Sequence, residues 1–131
     1  MEVIYDAGAL IAAGNGSRPF SLIAQAAARA GTLPRVPTTV LAQVWRGTGP
    51  KQALLSLALR TCQVVPFDEE AARLAGTLCG RAGTSDVVDA SVVILAVRYR
   101  AGIVTSDRGD IAKLIDSLDA DLRQRPPVID I

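Results

Sequence analysis

Residues 84–97, Thr-Ser-Asp-Val-Val-Asp-Ala-Ser-Val-Val-Ile-Leu-Ala-Val, read as a helix that is apolar nearly all the way round. That pattern belongs to an element enclosed by a domain, not to one lying on its surface. Two carboxylates, Asp86 and Asp89, nevertheless stand in its first turns. Taking an ionised carboxylate out of water is costly unless an ion pair, good hydrogen bonds or a bound cation compensate. The remaining chain must therefore cover this helix with other layers and bring a partner to Asp89. We expect that partner to be a divalent metal ion, held jointly with Asp6 and Asp107.

The layers can be read from the alternation of short β-rich runs with helical ones. Glu2 to Tyr5 is a strand, and Asp6 at its end turns at once into a small-residue helix reaching Gly14. Pro19–Ala30 is a helix with proline at its first position and Gly31 as its stop. A very short strand, Arg35–Pro37, is followed by a helix over Val40–Arg46 that Thr38 or Thr39 can cap. Lys51–Arg60 is helical and Thr61–Val65 a strand. Asp68 caps a helix to about Arg81, with Glu69 and Glu70 in its positive first turn and Gly83 closing it. The acid-bearing helix runs from about Asp86 to Arg100, Ala101–Thr105 is a strand, and Ser106 or Asp107 opens a helix to about Leu118. A polar Arg123–Pro127 link leads to a last short strand, Val128–Asp130. Such alternation predicts right-handed βαβ crossovers and one α/β domain over 1–131, its mostly parallel sheet covered on both faces.

Composition removes several kinds of chemistry. The chain has no histidine, which excludes a His general base, a Ser-His-Asp triad and His-ligated zinc or iron. Glutamate occurs only at 2, 69 and 70, and no acid lies between Asp6 and Asp68, so acid chemistry falls to aspartates. A ligand set made only of carboxylates suits a hard cation, Mg²⁺ or Mn²⁺. The net charge of +1 permits a local basic face without announcing one. Cys62 and Cys79 lack metal-type spacing and are expected as free buried thiols. No apolar run reaches the length that crosses a bilayer, and we expect a soluble cytoplasmic protein with no membrane contact.

In open parallel sheets, ligands bind beyond the carboxyl ends of the strands. Asp6 follows the first strand and Asp107 the fourth. Asp86 and Asp89 open the helix that leads antiparallel into the fourth, which puts all four on one rim. Asp6, Asp86 and Asp107 are also good helix N-caps, and so is the use of Asp110 in a first turn. Capping alone does not account for the set. Converging carboxylates repel, and helix dipoles offset only about 0.3–1 kcal/mol each.

These residues also carry a resemblance. Val-Ile-Tyr-Asp-Ala-Gly-Ala-Leu-Ile at the N-terminus, Pro-Thr-Thr-Val-Leu-Ala-Gln-Val-Trp-Arg at 37–46, Thr-Ser-Asp-Val-Val-Asp-Ala-Ser at 84–91 and Val-Thr-Ser-Asp-Arg-Gly-Asp at 104–110 resemble the motif series of PIN-domain ribonucleases. The closest resemblance is to the VapC toxins of bacterial type II toxin-antitoxin modules, over essentially the whole chain. It implies a three-layer α/β/α sandwich with strand order 3-2-1-4-5. It further implies a Mg²⁺- or Mn²⁺-dependent endoribonuclease, usually a homodimer, neutralised by a cognate antitoxin. By position, Asp6, Asp89 and Asp107 match the family's acids, and Asp86 and Asp110 its accessory acids. The second family acid, usually a Glu, falls on Gln43, which has an amide oxygen to offer but no charge.

The mechanism so implied has Asp6, Asp89 and Asp107 holding one or two ions that orient and acidify a water for attack on an RNA phosphodiester, with Asp86 and Gln43 assisting. Arg46, about one turn after Gln43, and Arg108, directly after Asp107, are the expected phosphate contacts. Arg98 and Arg100 close the acid-bearing helix and should lie at the opposite rim as solvated charge. Trp45 is expected either to anchor a dimer or antitoxin contact or to pack in the core. Two other classes compete. A Mg²⁺-dependent phosphotransfer domain would also place aspartates at strand ends, but the only lysines are Lys51 and Lys113, with none at the last strand. A catalytically silent PIN fold serving as a binding module is the other, and Gln43 is its support.

Overall fold

In the computed structural model, which describes residues 1–119 and 125–131, the short apolar runs pair into one parallel sheet. Its strands are β1 (Val3–Tyr5), β2 (Arg35–Pro37), β3 (Gln63–Val65), β4 (Gly102–Thr105) and β5 (Val128–Asp130), in the order β3-β2-β1-β4-β5. The order and the helical layers agree with the sandwich that the sequence implies. β1 sits centrally because its three residues are buried on both faces, the signature of a strand covered above and below. Its register aligns Tyr5 with Val104, so Asp6, which follows β1, and Thr105, which ends β4, emerge side by side. The polar link expected at Arg123–Pro127 falls partly, at Arg123 and Gln124, outside the described residues.

Helices α1 (Ala7–Gly14), α2 (Arg18–Ala30), α3 (Thr38–Val44), α4 (Gln52–Leu59), α5 (Glu69–Ala82), α6 (Val87–Tyr99) and α7 (Arg108–Asp116) complete the domain. α1 packs against α2 and α4, while α6 is enclosed by α5, α7, α3 and the strands β1, β2 and β4. The all-round apolarity of α6 is thereby explained: every residue from Ala90 to Ala96 is buried. Each large side chain among them contributes about 1.5–3 kcal/mol by leaving water. Leu95→Ala is accordingly expected to lower stability by about 2–5 kcal/mol, because the closed surroundings of this fully buried side chain cannot collapse onto the void. A shift in urea midpoint with unchanged slope would show it.

Helix ends follow the capping residues closely. Asp68 accepts from Ala71 N–H at 2.8 Å, and Gly31 and Gly83 close their helices at φ 71° and 68°. Ser17 caps α2, which puts Arg18 at its first position and Pro19 at its second. The expected capping by Thr38 or Thr39 is not what occurs. α3 starts directly after Pro37 and ends at Val44, with no side-chain cap. Thr38 instead accepts from Phe67 N–H at 3.1 Å, and Thr39 meets Ser91 of α6 at 2.6 Å. Ser91 Oγ spends its own proton on Val88 O, so Thr39 must be the donor in that contact. The two threonines thus tie α3 to its neighbours rather than to itself. Cys62 and Cys79 are free, as expected, but only Cys79 is buried; Cys62 is half-buried.

Candidate metal centre

The first functional side chain is placed by the transition from β1 to α1. Asp6 N donates to Val104 O at 3.2 Å, which continues the sheet ladder, and the Asp6 carboxylate accepts from Ala9 N–H at 2.8 Å, which starts the helix. Asp6 is only 3 % exposed. Burial raises its carboxyl above the ordinary aspartate value; hydrogen bonds from the Thr105 hydroxyl and the Ala9 N–H pull it back, and the charge of Asp107 pushes it up again. The close approach of α1 to the next loop requires Gly8, where a Cβ would collide with the Ser106 hydroxyl.

Thr105, at the end of β4, is the residue that joins the first acid to the second. Its hydroxyl hydrogen-bonds Asp6 and accepts from Asp107 N–H at 2.9 Å, and it is fully buried. Asp107 in turn caps α7, facing Asp110 N–H at 3.5 Å. Sequence reasoning passed over Thr105. The available signal was a hydroxyl two residues before Asp107 at the end of an otherwise apolar strand.

On α6, Asp86 is the cap and accepts from Asp89 N–H at 3.0 Å. The Asp89 carboxyl is pushed up to about 7, first by burial, then by the charges of Asp86 and Asp6, with Asp110 adding to them. Asp86, Asp89 and Asp110 line one recess of about 70 Å³ together with Thr84, Lys113 and Leu114. That volume exceeds the roughly 10–15 Å³ that a single water needs. The capping roles of Asp6, Asp86 and Asp107 are therefore all present, and the same acids are electrostatic neighbours along one rim.

Whether this rim fits a divalent ion turns on its donors and on its geometry. The donors are carboxylate oxygens, the set a hard cation prefers. Among the described residues none of these five aspartates has an ion-pair partner within 4 Å. Nor, among the described residues, do three or more His, Cys, Asp or Glu side chains converge into a ready metal cage. The acids are therefore gathered along one rim but do not converge on a single centre among the described residues.

The remaining expected residues are placed differently. Gln43 is exposed on the last turn of α3, and no hydrogen bond links it to the acids. Arg46 donates to Trp45 O at 2.8 Å and lines a separate apolar groove of about 340 Å³ with Ile11, Val44 and Leu55. Arg108 donates to Val128 O at 2.9 Å and lies 3.6 Å from Asp130, so its guanidinium is directed at β5. Trp45 is 44 % exposed at the end of α3, which removes the core-packing alternative. Arg98 is not merely solvated: it pairs in bidentate fashion with Asp68 at 2.8 and 3.1 Å, clamping α6 to the start of α5. Arg100 ends α6 in the left-handed conformation, φ 53°.

Residues 3–124 match the description of the PIN domain. No curated protein matches the chain. Among solved structures, the fold is similar to VapBC2 from Rickettsia felis bound to a DNA fragment from its promoter, with a TM-score of 0.74 and 13 % identity over 100 % of this chain and 99 % of that one. It is also similar to a toxin-antitoxin complex from Klebsiella pneumoniae, with a TM-score of 0.70 and 17 % identity over 99 % of this chain and 100 % of that one.

Proposed function

Because the chain belongs to the PIN domain family, we propose that it is a Mg²⁺- or Mn²⁺-dependent endoribonuclease of the VapC kind, the toxin of a type II toxin-antitoxin pair. The single observation that carries the chemistry is the Asp89 carboxyl, raised to about 7 by burial and by acids from three other places in the chain. A rim that concentrates negative charge at structural expense, with no cationic side chain paired to it among the described residues, is suited to a divalent ion. The fold similarity to two toxin-antitoxin complexes supports a cognate antitoxin as partner. Among the described residues no helix is long and apolar enough to cross a membrane.

In this reading Asp6, Asp89 and Asp107 hold the ion, with Asp86 and Asp110 at its margin. The ion, when bound, supplies positive charge to the phosphate oxygens and the acidity that water otherwise lacks in a chain without histidine. The protein's own work is positional. Thr105 keeps Asp6 and Asp107 adjacent, the N–H groups of α1 fix the Asp6 carboxylate, and Asp86 fixes the start of α6. The β1–β4 register decides that these side chains share an edge.

Gln43, uncharged where the family's acid is expected, favours a second reading as a catalytically silent binding module. Cleavage of single-stranded RNA with Mn²⁺ and with EDTA, by the wild type and Asp6→Asn, separates the two. The expected result is cleavage in Mn²⁺, none in EDTA, and a loss in the variant beyond the roughly 10–100-fold typical of outer-sphere substitutions. Activity that survives both changes overturns the nuclease reading, and absence of Mn²⁺ binding in the wild type supports the silent one.

A further inference from the structure

We propose that Lys113 is the cation that receives an RNA phosphate at the acid rim, an inference that rests on the nuclease reading above. The two arginines that the sequence offered for this task are turned elsewhere, Arg108 to Val128 O and Asp130, and Arg46 to the groove beside α1. Lys113 is placed where they are not. It stands three residues after Asp110 on α7, on the same helix face, and borders the recess shared by Asp86, Asp89 and Asp110. Among the described residues it makes no ion pair within 4 Å, although three carboxylates share its recess.

An ammonium so placed, unpaired among the described residues, has up to three donors to offer a ligand. Its flexible stem lets a compact charge reach a phosphate without a fixed geometry, as suits a chain that must slide in and leave. The need for it is electrostatic. A rim of aspartates repels a polyanion, and a divalent ion bound there offsets only part of that charge. A side-chain cation at the edge gives the strand a second point of attachment, and it sets the strand's position relative to the acids. Lys113 is thus a substrate-positioning residue rather than a metal ligand.

The test measures binding of the full chain to a labelled, non-cleavable 2′-O-methyl single-stranded RNA in Mn²⁺ by fluorescence anisotropy, over a salt series. Lys113 is exposed, so Lys113→Ala leaves the core intact. It is expected to weaken binding about fivefold and to reduce the slope of log K against log salt by about 0.7, the value of one phosphate contact on a single strand. Lys113→Arg is expected to restore both, and Mn²⁺ affinity by calorimetry is expected to stay within about twofold in all three proteins. Unchanged RNA binding and salt slope in Lys113→Ala overturn the proposal while leaving the nuclease reading standing. So does tighter Mn²⁺ binding at an unchanged slope, since Lys113 would then only neutralise the acids. A wild type that binds neither Mn²⁺ nor the oligonucleotide overturns the nuclease reading and this inference with it.

Discussion

Without divalent metal, the protein is expected to lose stability as pH rises from about 4 to about 7, and Asp89→Asn is expected to abolish most of that loss. The Asp89 carboxyl is held at about 7 against an ordinary value of 3.8. Between those values the folded chain keeps a proton that the unfolded chain has released, so unfolding becomes easier with each step up in pH. The stabilisation is complete below about 4 and gone above about 7. Asp6, raised chiefly by burial, acts in the same direction. The groups facing Asp89 are Asp86 at the cap of its own helix, Asp6 at the cap of α1, and Asp110 and Lys113 from α7. Allowing for screening at a half-buried group, the Asp89 contribution is about 2–4 kcal/mol, or roughly 8–16 °C in Tm for a domain of this size. Adding Mn²⁺ at pH 8 should recover it in the wild type, by about 2.7 kcal/mol at a hundredfold excess over Kd. The variant should gain nothing. The amide carries no charge to be repelled or bound, so it separates the two effects: Asp89→Asn is expected to be the more stable protein in EDTA and the less stable in Mn²⁺. Thermal scans over a pH series in both media measure this, and a wild type whose Tm is flat from pH 4 to 7 would contradict it.

Thr105→Val is expected to cut Mn²⁺ affinity about 10–100-fold while the fold survives. The substitution keeps the shape and β-preference of a fully buried strand residue and removes only the hydroxyl that serves Asp6 and Asp107 N–H at once. The buried Asp6 carboxylate loses a partner, which costs about 1–3 kcal/mol where water does not relieve it, while the partly buried Asp107 N–H loses less. That carboxylate is already raised by burial, so Asp6 moves further towards its neutral form and becomes a poorer ligand. Outer-sphere partners of metal-binding groups have effects of this size. Thr105→Ser, which retains the hydroxyl, is expected to bind Mn²⁺ within about threefold of the wild type, because the hydrogen bonds and not the methyl carry the effect. Calorimetric titration of the three proteins decides the matter. Equal affinities would mean that Asp6 and Asp107 are held by the strand ends alone.

The parts of this protein legible in one dimension are those whose cause is local. The all-round apolarity of residues 87–99 announced a buried helix, and Asp68, Gly31 and Gly83 announced helix ends, because propensity and capping act within a few residues. The alternation of strands and helices restricted the topology to a parallel sheet, and chain order then put Asp6, Asp86, Asp89 and Asp107 on one edge. Absence was informative too: a chain without histidine leaves its chemistry to carboxylates.

Tertiary structure alone decided which side chains face one another. Thr38 and Thr39 have the chemistry of caps, yet they bond Phe67 N–H and Ser91, since those groups, remote in sequence, are delivered to them by packing. Arg108 adjoins Asp107 in sequence and is drawn away to β5, whereas Lys113, given no role at the acid rim by the sequence, borders the acids one turn of α7 beyond. Thr105 acquired its role only when the pairing of β1 with β4 set the Asp6 backbone against Val104. Sequence determines such elements because their free energy is summed over neighbours along the chain. It leaves the contacts of a shared edge open because each depends on where two independent backbones meet, and a shift of one residue or a single rotamer reassigns the partner.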